Sequence, residues 1–149
     1  MEKIKVRIKR KPGCEDLPLP QYMSEHSSAM DICADVDDEV VIAPGDIKLI
    51  SAGFYMSLPA GYEAQIRPRS GLAIKHGISI ANTPGTIDAD YRGLVGIIII
   101  NHGKLPFIIK RANRIAQMAI QKVIKAEIDL VEELDETVRS TGGFGHSGI

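Results

Sequence analysis

Four short stretches and a terminal tail hold the side chains that could do chemistry in this sequence. In "SSAMDICAD", 27–35, Asp31 sits among Ala29, Met30, Ile32 and Cys33, an acid inside an apolar, strand-like run. A buried carboxylate is costly without a cation or backbone donors, so a buried Asp31 demands a partner. Taken alone, the stretch reads most simply as a turn-capping aspartate. In "RPRSGLA", 67–73, Arg67 and Arg69 alternate, and Ser70-Gly71 opens a short helix over 71–75. Guanidinium, hydroxyl and free backbone N–H groups suit an anion, and a surface turn with an N-capping serine accounts for them equally well. "NTPGTIDADYRGLVG", 82–96, reads as a long decorated hairpin with Asp88 and Asp90 on one face. One of those carboxylates could act as a general base and the other be structural; the plainer alternative is a polar loop with Asx turns. In "RANRIAQ", 111–117, Arg114 and Gln117 bracket an apolar pair, which ordinary strand alternation also explains. The tail "RSTGGFGHSGI", 139–149, carries Phe144, one of only three phenylalanines in a chain without tryptophan, among glycines that hold no fixed shape.

The elements that must position these residues are legible in outline. Turn signals fall at Pro12-Gly13, Pro44-Gly45, Pro59-Ala60-Gly61, Pro84-Gly85 and His102-Gly103, with short apolar or alternating runs between them. That rhythm is the signature of an all-β sandwich or barrel with at most one short helix, ended by His76-Gly77. "KIKVRIKRK", 3–11, alternates basic and apolar residues and reads as a half-buried strand with a solvated basic face. "IIII", 97–100, reads as a strand buried on both faces. Residues 113–125, "NRIAQMAIQKVIK", place Ile115, Met118, Ala119 and Val123 at helical spacing, so pattern alone favours a helix where the surrounding rhythm favours a strand. At 149 residues, with 44% hydrophobic and 25% charged, the chain suits one domain with a real core. A net charge of −1 gives no pull toward nucleic acid or anionic membranes, and no stretch reaches the length of a membrane span. Cys14 and Cys33 suit neither a disulfide framework nor a zinc site. Reduced thiols and the lack of a secretory signal point to the cytoplasm.

In order and wording, the polar stretches closely resemble the five motifs of the trimeric deoxyuridine triphosphate nucleotidohydrolases, the dUTPases. The resemblance runs from about Ala29 to the C-terminus. "PRSGLA" and "GTIDADYRG" are highly specific, and "NRIAQ" and "GGFGHSG" follow in the expected order. Three departures are visible. Ala29 stands where the family usually has glycine, Asn113 stands where an acid usually precedes the arginine, and His146-Ser147 stands where many members have Ser-Thr. The second puts a salt bridge in doubt; the third leaves the terminal hydroxyl contact to Ser147 alone.

The resemblance implies a jelly-roll-like β-barrel over 1–138 with a flexible C-terminal lid over 139–149, assembled as a homotrimer with shared active sites. Residues 113–125 become mainly strand. The implied reaction is dUTP plus water to dUMP plus pyrophosphate, with Mg²⁺ chelated by the triphosphate. The triphosphate carries roughly four negative charges, which repel a nucleophile. Arg69, Ser70, Gly71, Gln117 and Arg139 would neutralise and orient it, and Asp31 would hold waters of the Mg²⁺ rather than the metal itself. Asp88 resembles the carboxylate that positions the attacking water. Asn82 and backbone groups along Gly85, Thr86, Ile87 and near Gly96 would bind the uracil edge, and Tyr91 would lie against the deoxyribose. Phe144, Gly145 and Ser147 would close over base and phosphates. No nucleic-acid or membrane partner is implied. Two rivals remain: a related dCTP deaminase, against which "GTIDADYRG" argues, and a non-catalytic trimeric scaffold, which has no use for Asp88, Tyr91, Arg139 and Phe144 together.

Overall fold

The computed structural model describes residues 3–143. Its strands are β1 (Arg7–Arg10), β2 (Gln21–Tyr22), β3 (Met30–Cys33), β4 (Val40–Ile42), β5 (Ile47–Ser57), β6 (Tyr62–Arg67), β7 (Ile78–Ile80), β8 (Gly85–Ile87), β9 (Leu94–Asn101), β10 (Phe107–Ile109) and β11 (Arg114–Lys122); one helix, α1 (Ser70–His76), interrupts them. They pair antiparallel in three sheets of order β1-β5-β9-β7, β10-β4 and β2-β3-β11-β6-β8. This is the expected all-β, jelly-roll-like architecture with one short helix. The core lies between the two larger sheets. Ile50, Phe54, Met56, Ile97 and Ile99 from one meet Ile32, Ala64, Ile66, Ala116 and Met118 from the other. Isoleucine dominates because a β-branched side chain packs well on a pleated, buried face.

The segment leading into β1 alternates as expected: Ile4, Val6 and Ile8 pack on the core while Lys5, Arg7 and Lys9 face solvent. The isoleucine run differs from expectation. Ile97 and Ile99 are fully buried, but Ile98 and Ile100 are only half-buried on the outer face of β9. There they pair with Leu49 and Ile47 of β5, which are 70% and 57% exposed. Strand alternation gives one face to the core; the other face is apolar too, but nothing among the described residues covers it.

Residues 114–122 form a strand, against the helical pattern of the sequence and in line with the family resemblance. A bulge between Arg114 and Ala116 and burial on both faces of β11 together explain the false period. The extra residue leaves Ile115 and Ala116 buried in succession, and Met118 and Ala119, in regular register and so on opposite faces, are both buried, so buried positions recur at 115, 116, 118 and 119 as on a helix face. Past Lys122 the chain leaves the sheets. Val123 donates its N–H to the Gly61 carbonyl at 2.9 Å, and from there to residue 143 no strand forms. In this arm Ile124, Ile128, Leu130 and Leu134 are 92%, 87%, 95% and 84% exposed, so the body of the chain does not shelter them.

Candidate active site

Strand pairing gathers one group of the candidate residues. On β11, Gln117 lies directly opposite Asp31 of β3 on one side and Arg67 of β6 on the other. β6 then runs through Pro68 into α1, which delivers Arg69, Ser70 and Gly71 to the same edge. Gln117 donates from Nε2 to the Pro68 carbonyl at 2.9 Å, fixing that junction. Asp31 finds the partner its burial requires, and finds two: Arg69 Nε stands 3.4 Å from Oδ1, and Arg114 Nη1 donates to Oδ2 at 3.1 Å. Arg69 also donates from Nη1 to the Arg114 carbonyl at 2.8 Å. Two guanidinium groups thus flank one carboxylate, leaving a net positive edge suited to a polyanion. In the sequence Arg114 shows only as a flank of an apolar pair; the signal for its role is its place three residues before Gln117.

Arg67 and Arg69 alternate in sequence but do different things. Arg67 donates from Nε and Nη2 to Gln65 Oε1 at 3.2 and 2.6 Å, and Gln65 in turn donates to Glu63, a ladder along β6 away from Asp31. Ser70 is not the N-cap. That position belongs to Arg69, whose backbone is extended, and no side chain caps the helix, so the Ser70 hydroxyl is exposed to solvent. α1 ends as expected at Gly77, which takes a left-handed φ of 69° and donates its N–H to the Ala73 carbonyl. Asn113 makes no salt bridge. Its Oδ1 accepts the Lys110 N–H at 2.9 Å and closes the turn into β11.

A second group surrounds a small cavity of about 40 Å³, lined by Asn82, Gly85, Thr86, Ile87 and Gly96 with Ile66, Ile80 and Ile98. Gly85 makes room for Asn82, since a Cβ there would lie 3.1 Å from Asn82 Nδ2. A larger cavity of about 330 Å³ lies elsewhere, beyond the C-terminal end of α1, and contains none of the candidate residues. The expected hairpin is absent. β8 pairs with β6, whereas β9 pairs with β5 and β7, so residues 88–93 cross from one sheet to the other. The turn residues announce a reversal, but the apolar inner face of β9 decides which sheet it joins. Asp88 and Asp90 accordingly do not share a strand face. The chain turns there, with the Tyr91 N–H donating to the Asp88 carbonyl at 3.1 Å. Arg92 holds that turn from inside, donating to the Ala89 and Tyr91 carbonyls. The Asp88 carboxylate is exposed and meets no hydrogen-bond donor or cation among the described residues. Tyr91 donates its phenolic O–H to the Leu94 carbonyl at 3.0 Å.

Among the described residues no hydrogen bond or ion pair joins the Asp31–Arg69–Gln117 group to Asp88 or Tyr91. Arg139 stands apart from both, its Nε donating to the Gly142 carbonyl at 2.7 Å. Phe144, Gly145 and Ser147 lie outside the described residues.

A third cluster has no signal in the sequence. Asp35, nearly inaccessible, accepts from Lys11 Nζ at 2.7 Å, from Ser51 Oγ at 2.7 Å and from Arg111 Nη1 at 3.0 Å. Arg111 also holds Asp16 through two bonds of 2.8 Å. The cluster straps residues 11–17 to the turn that launches β11. Cys14 is buried in it, and burial pushes its thiol up, away from reactivity. Burial alone would raise the Asp35 carboxyl, but bonds from Lys11, Ser51, Cys14 and Arg111 outweigh it and hold the carboxyl well below the ordinary range. A carboxyl lowered on folding stabilises above its unfolded pKa of about 4 and loses that contribution as pH falls below it. Asp35→Asn is therefore expected to cost roughly 3 kcal/mol at pH 7 and to flatten the loss of stability below about pH 4. Urea unfolding at a series of pH values checks both; parallel pH curves for the two proteins would contradict it.

Comparison with known proteins places these features in context. The dUTPase family model matches residues 15–148. The chain is 55% identical to the deoxyuridine 5'-triphosphate nucleotidohydrolase of Caldanaerobacter subterraneus subsp. tengcongensis, over 98% of this chain and 99% of that one. It is 51% identical to the protein of the same name from Syntrophotalea carbinolica, over the full length of both. Among solved structures it is similar to the Staphylococcus bacteriophage 80alpha dUTPase with dUPNHPP, with a TM-score of 0.86 and 25% identity over 97% of this chain and 99% of that one. It also shares its fold with a point mutant of the dUTPase from phage phi11 of S. aureus, described with a structural Mg(II) ion. There the TM-score is 0.75, with 23% identity over 87% of this chain and 97% of that one.

Proposed function

The chain belongs to the dUTPase family, and from that premise we propose that it hydrolyses dUTP to dUMP and pyrophosphate by in-line attack of water on the α-phosphorus, lowering dUTP and supplying dUMP for thymidylate synthesis. The observation that carries this reading is the pairing of β3, β11 and β6, which sets Asp31, Gln117 and Arg69, far apart in sequence, at one edge. Arg69 and Gln117, with Ser70 and the backbone at Gly71, bind the phosphates. Asp88, which follows Ile87 out of the cavity lined by Asn82, Gly85, Thr86, Ile87 and Gly96, orients the water. A bare carboxylate is a weak base for water, so in-line positioning and charge neutralisation supply most of the acceleration. Asn82 and the neighbouring backbone take the uracil edge, and mismatched groups reject cytosine. Tyr91 walls the sugar.

Mg²⁺ supplies charge neutralisation across the phosphates. The residues fit an ion that arrives with the substrate. The described residues contain no cluster of three metal-ligating side chains, and Asp31, with both oxygens already facing arginine, suits the ion's water shell better than its inner sphere.

The reading includes a homotrimer with shared sites. Its support is the uncovered apolar face of Ile47, Leu49, Ile98 and Ile100, which runs into the cavity through Ile98, together with the exposed arm past Lys122. A working location in the cytoplasm accords with free, buried thiols, and no helix among the described residues is long and apolar enough to cross a membrane. The decisive assay is pyrophosphate release from dUTP with Mg²⁺, run beside ammonia release from dCTP. Pyrophosphate from dUTP and no ammonia is the expected result; ammonia from dCTP, or neither product, would overturn the reading.

A further inference from the structure

Tyr91 is more than a third exposed, yet its ring is held in one place. Its hydroxyl donates to the Leu94 carbonyl at 3.0 Å, and its backbone N–H is tied to Asp88. The third restraint is a missing side chain. A Cβ on Gly93 would lie 2.2 Å from the Tyr91 hydroxyl oxygen, 2.4 Å from Cζ and 2.8 Å from Cε2, far inside van der Waals contact. The phenol end of the ring therefore occupies the space that a side chain on residue 93 would take.

Gly93 is not there for its backbone. It is not among the glycines with a positive φ, which are Gly13, Gly45, Gly53, Gly61 and Gly77. An alanine could adopt its conformation, and the three atoms nearest to where its methyl would go all belong to the phenol end of Tyr91. That ring is the far end of an exposed side chain, so a methyl at 93 would displace the ring and leave the sheets as they are.

We propose that Gly93 is a specificity-positioning residue: by carrying no side chain it seats the Tyr91 ring, and so sets how strongly the site rejects a ribonucleotide. The proposal rests on the reading of Tyr91 as the wall against the sugar. A wall excludes a 2′-hydroxyl only if it stands within van der Waals contact of the 2′ carbon. A methyl at 93 must push the phenol end by about 1 Å or more to reach ordinary contact distance, which is enough to admit an oxygen. The Leu94 bond breaks in the same movement. The Asn82 side of the cavity is untouched, so selection of the base stays as it was.

The test measures kcat/KM for dUTP, UTP and dCTP, together with Tm, in the parent, Gly93→Ala, Tyr91→Phe and Tyr91→Ala. Gly93→Ala is expected to melt within about 2 °C of the parent, to raise the UTP/dUTP ratio at least about tenfold, and to leave the dCTP/dUTP ratio within about twofold, a tenfold loss being a realistic share of what a steric pocket can discriminate against a hydroxyl. With 3-fluorotyrosine incorporated at the four tyrosines, the fluorine resonance lost in Tyr91→Phe should shift in Gly93→Ala while the others stay. A normal melting temperature and an unchanged UTP/dUTP ratio in Gly93→Ala, with a raised ratio in Tyr91→Ala, would overturn the proposal and leave the sugar-wall reading standing. An unchanged ratio in Tyr91→Ala would remove that reading and the proposal with it. If Gly93→Ala does not fold, Tyr91→Phe decides, since it keeps the ring and drops only its anchor on Leu94. A rise of about threefold supports the seating, and no rise beside a raised ratio in Tyr91→Ala overturns it.

Discussion

Replacing Asp88 by asparagine is expected to leave dUTP binding within about threefold of the parent and to lower kcat by about three orders of magnitude, roughly 4 kcal/mol of transition-state stabilisation. The asymmetry follows from the surroundings of Asp88. Its side chain is exposed, meets no donor or cation among the described residues, and lies outside the core, so the fold does not depend on its charge. Asparagine keeps the shape and the turn, because the bond to Tyr91 uses the Asp88 backbone carbonyl. On the proposed reading, what disappears is the acceptor that orients a water, and such a group matters chiefly in the transition state. Asp90, which the turn carries away from any shared strand face, is the internal control, and Asp90→Asn should retain most of the activity. Single-turnover kinetics with a separate binding measurement distinguish the two variants. Near-parental turnover in Asp88→Asn would rule out this carboxylate as the water-positioning group.

Deletion of residues 139–149 carries the second large effect. Melting should be nearly unchanged, because none of residues 139–143 belongs to the buried core, while kcat/KM should fall at least about a hundredfold, roughly 2.7 kcal/mol. Arg139 donates from Nε to the neutral Gly142 carbonyl. A phosphate oxygen is a stronger, charged acceptor, so exchanging one for the other favours closure over the nucleotide. In the proposed lid, Phe144 would stack on the uracil face, and the glycines around it would let backbone N–H groups approach the phosphates. Closure also expels water that competes for the triphosphate. Mixing this inactive variant with inactive Asp88→Asn chains should restore part of the activity if subunits exchange, because a shared site can then draw Asp88 and the tail from different chains. A truncated protein as active as the full chain would dispose of the lid.

What the sequence revealed, and what it concealed, follows from the range of the interactions. The strand rhythm was legible because turns and alternation are local. α1 was legible from Ser70-Gly71 and Gly77. Asp31 was readable only as a turn cap or, if buried, an acid in need of a cation or backbone donors; that its partners are Arg69 and Arg114 required the register of β3, β11 and β6. The helical pattern of 113–125 misled because a bulge and burial on both faces of β11 mimic a helix face; the surrounding strand rhythm pointed the other way, and the family resemblance set it right. The crossing at 88–93 read as a hairpin because turn chemistry does not say which sheet receives the next strand. The Asp35 cluster was invisible for a stronger reason. Its cations lie 24 and 76 residues away in sequence, with no spacing to announce them. Nothing in the sequence singles out Gly93, because its meaning depends on where one ring lies.

The arm beyond Lys122 has a consequence for the newly made chain. With Ile124, Ile128, Leu130 and Leu134 all exposed, it is a template onto which another strand could add. Among and just past them stand six acids, Glu127, Asp129, Glu132, Glu133, Asp135 and Glu136, against the single cation Lys125. Two such arms laid side by side would set like charges against each other at every few residues, so self-stacking into cross-β aggregates is disfavoured. Attachment to a surface that is apolar without being acidic, such as the face of Ile47 and Leu49, meets no such repulsion. The acids act as gatekeepers, leaving a sticky segment free to find its proper surface during synthesis while keeping it from its own kind.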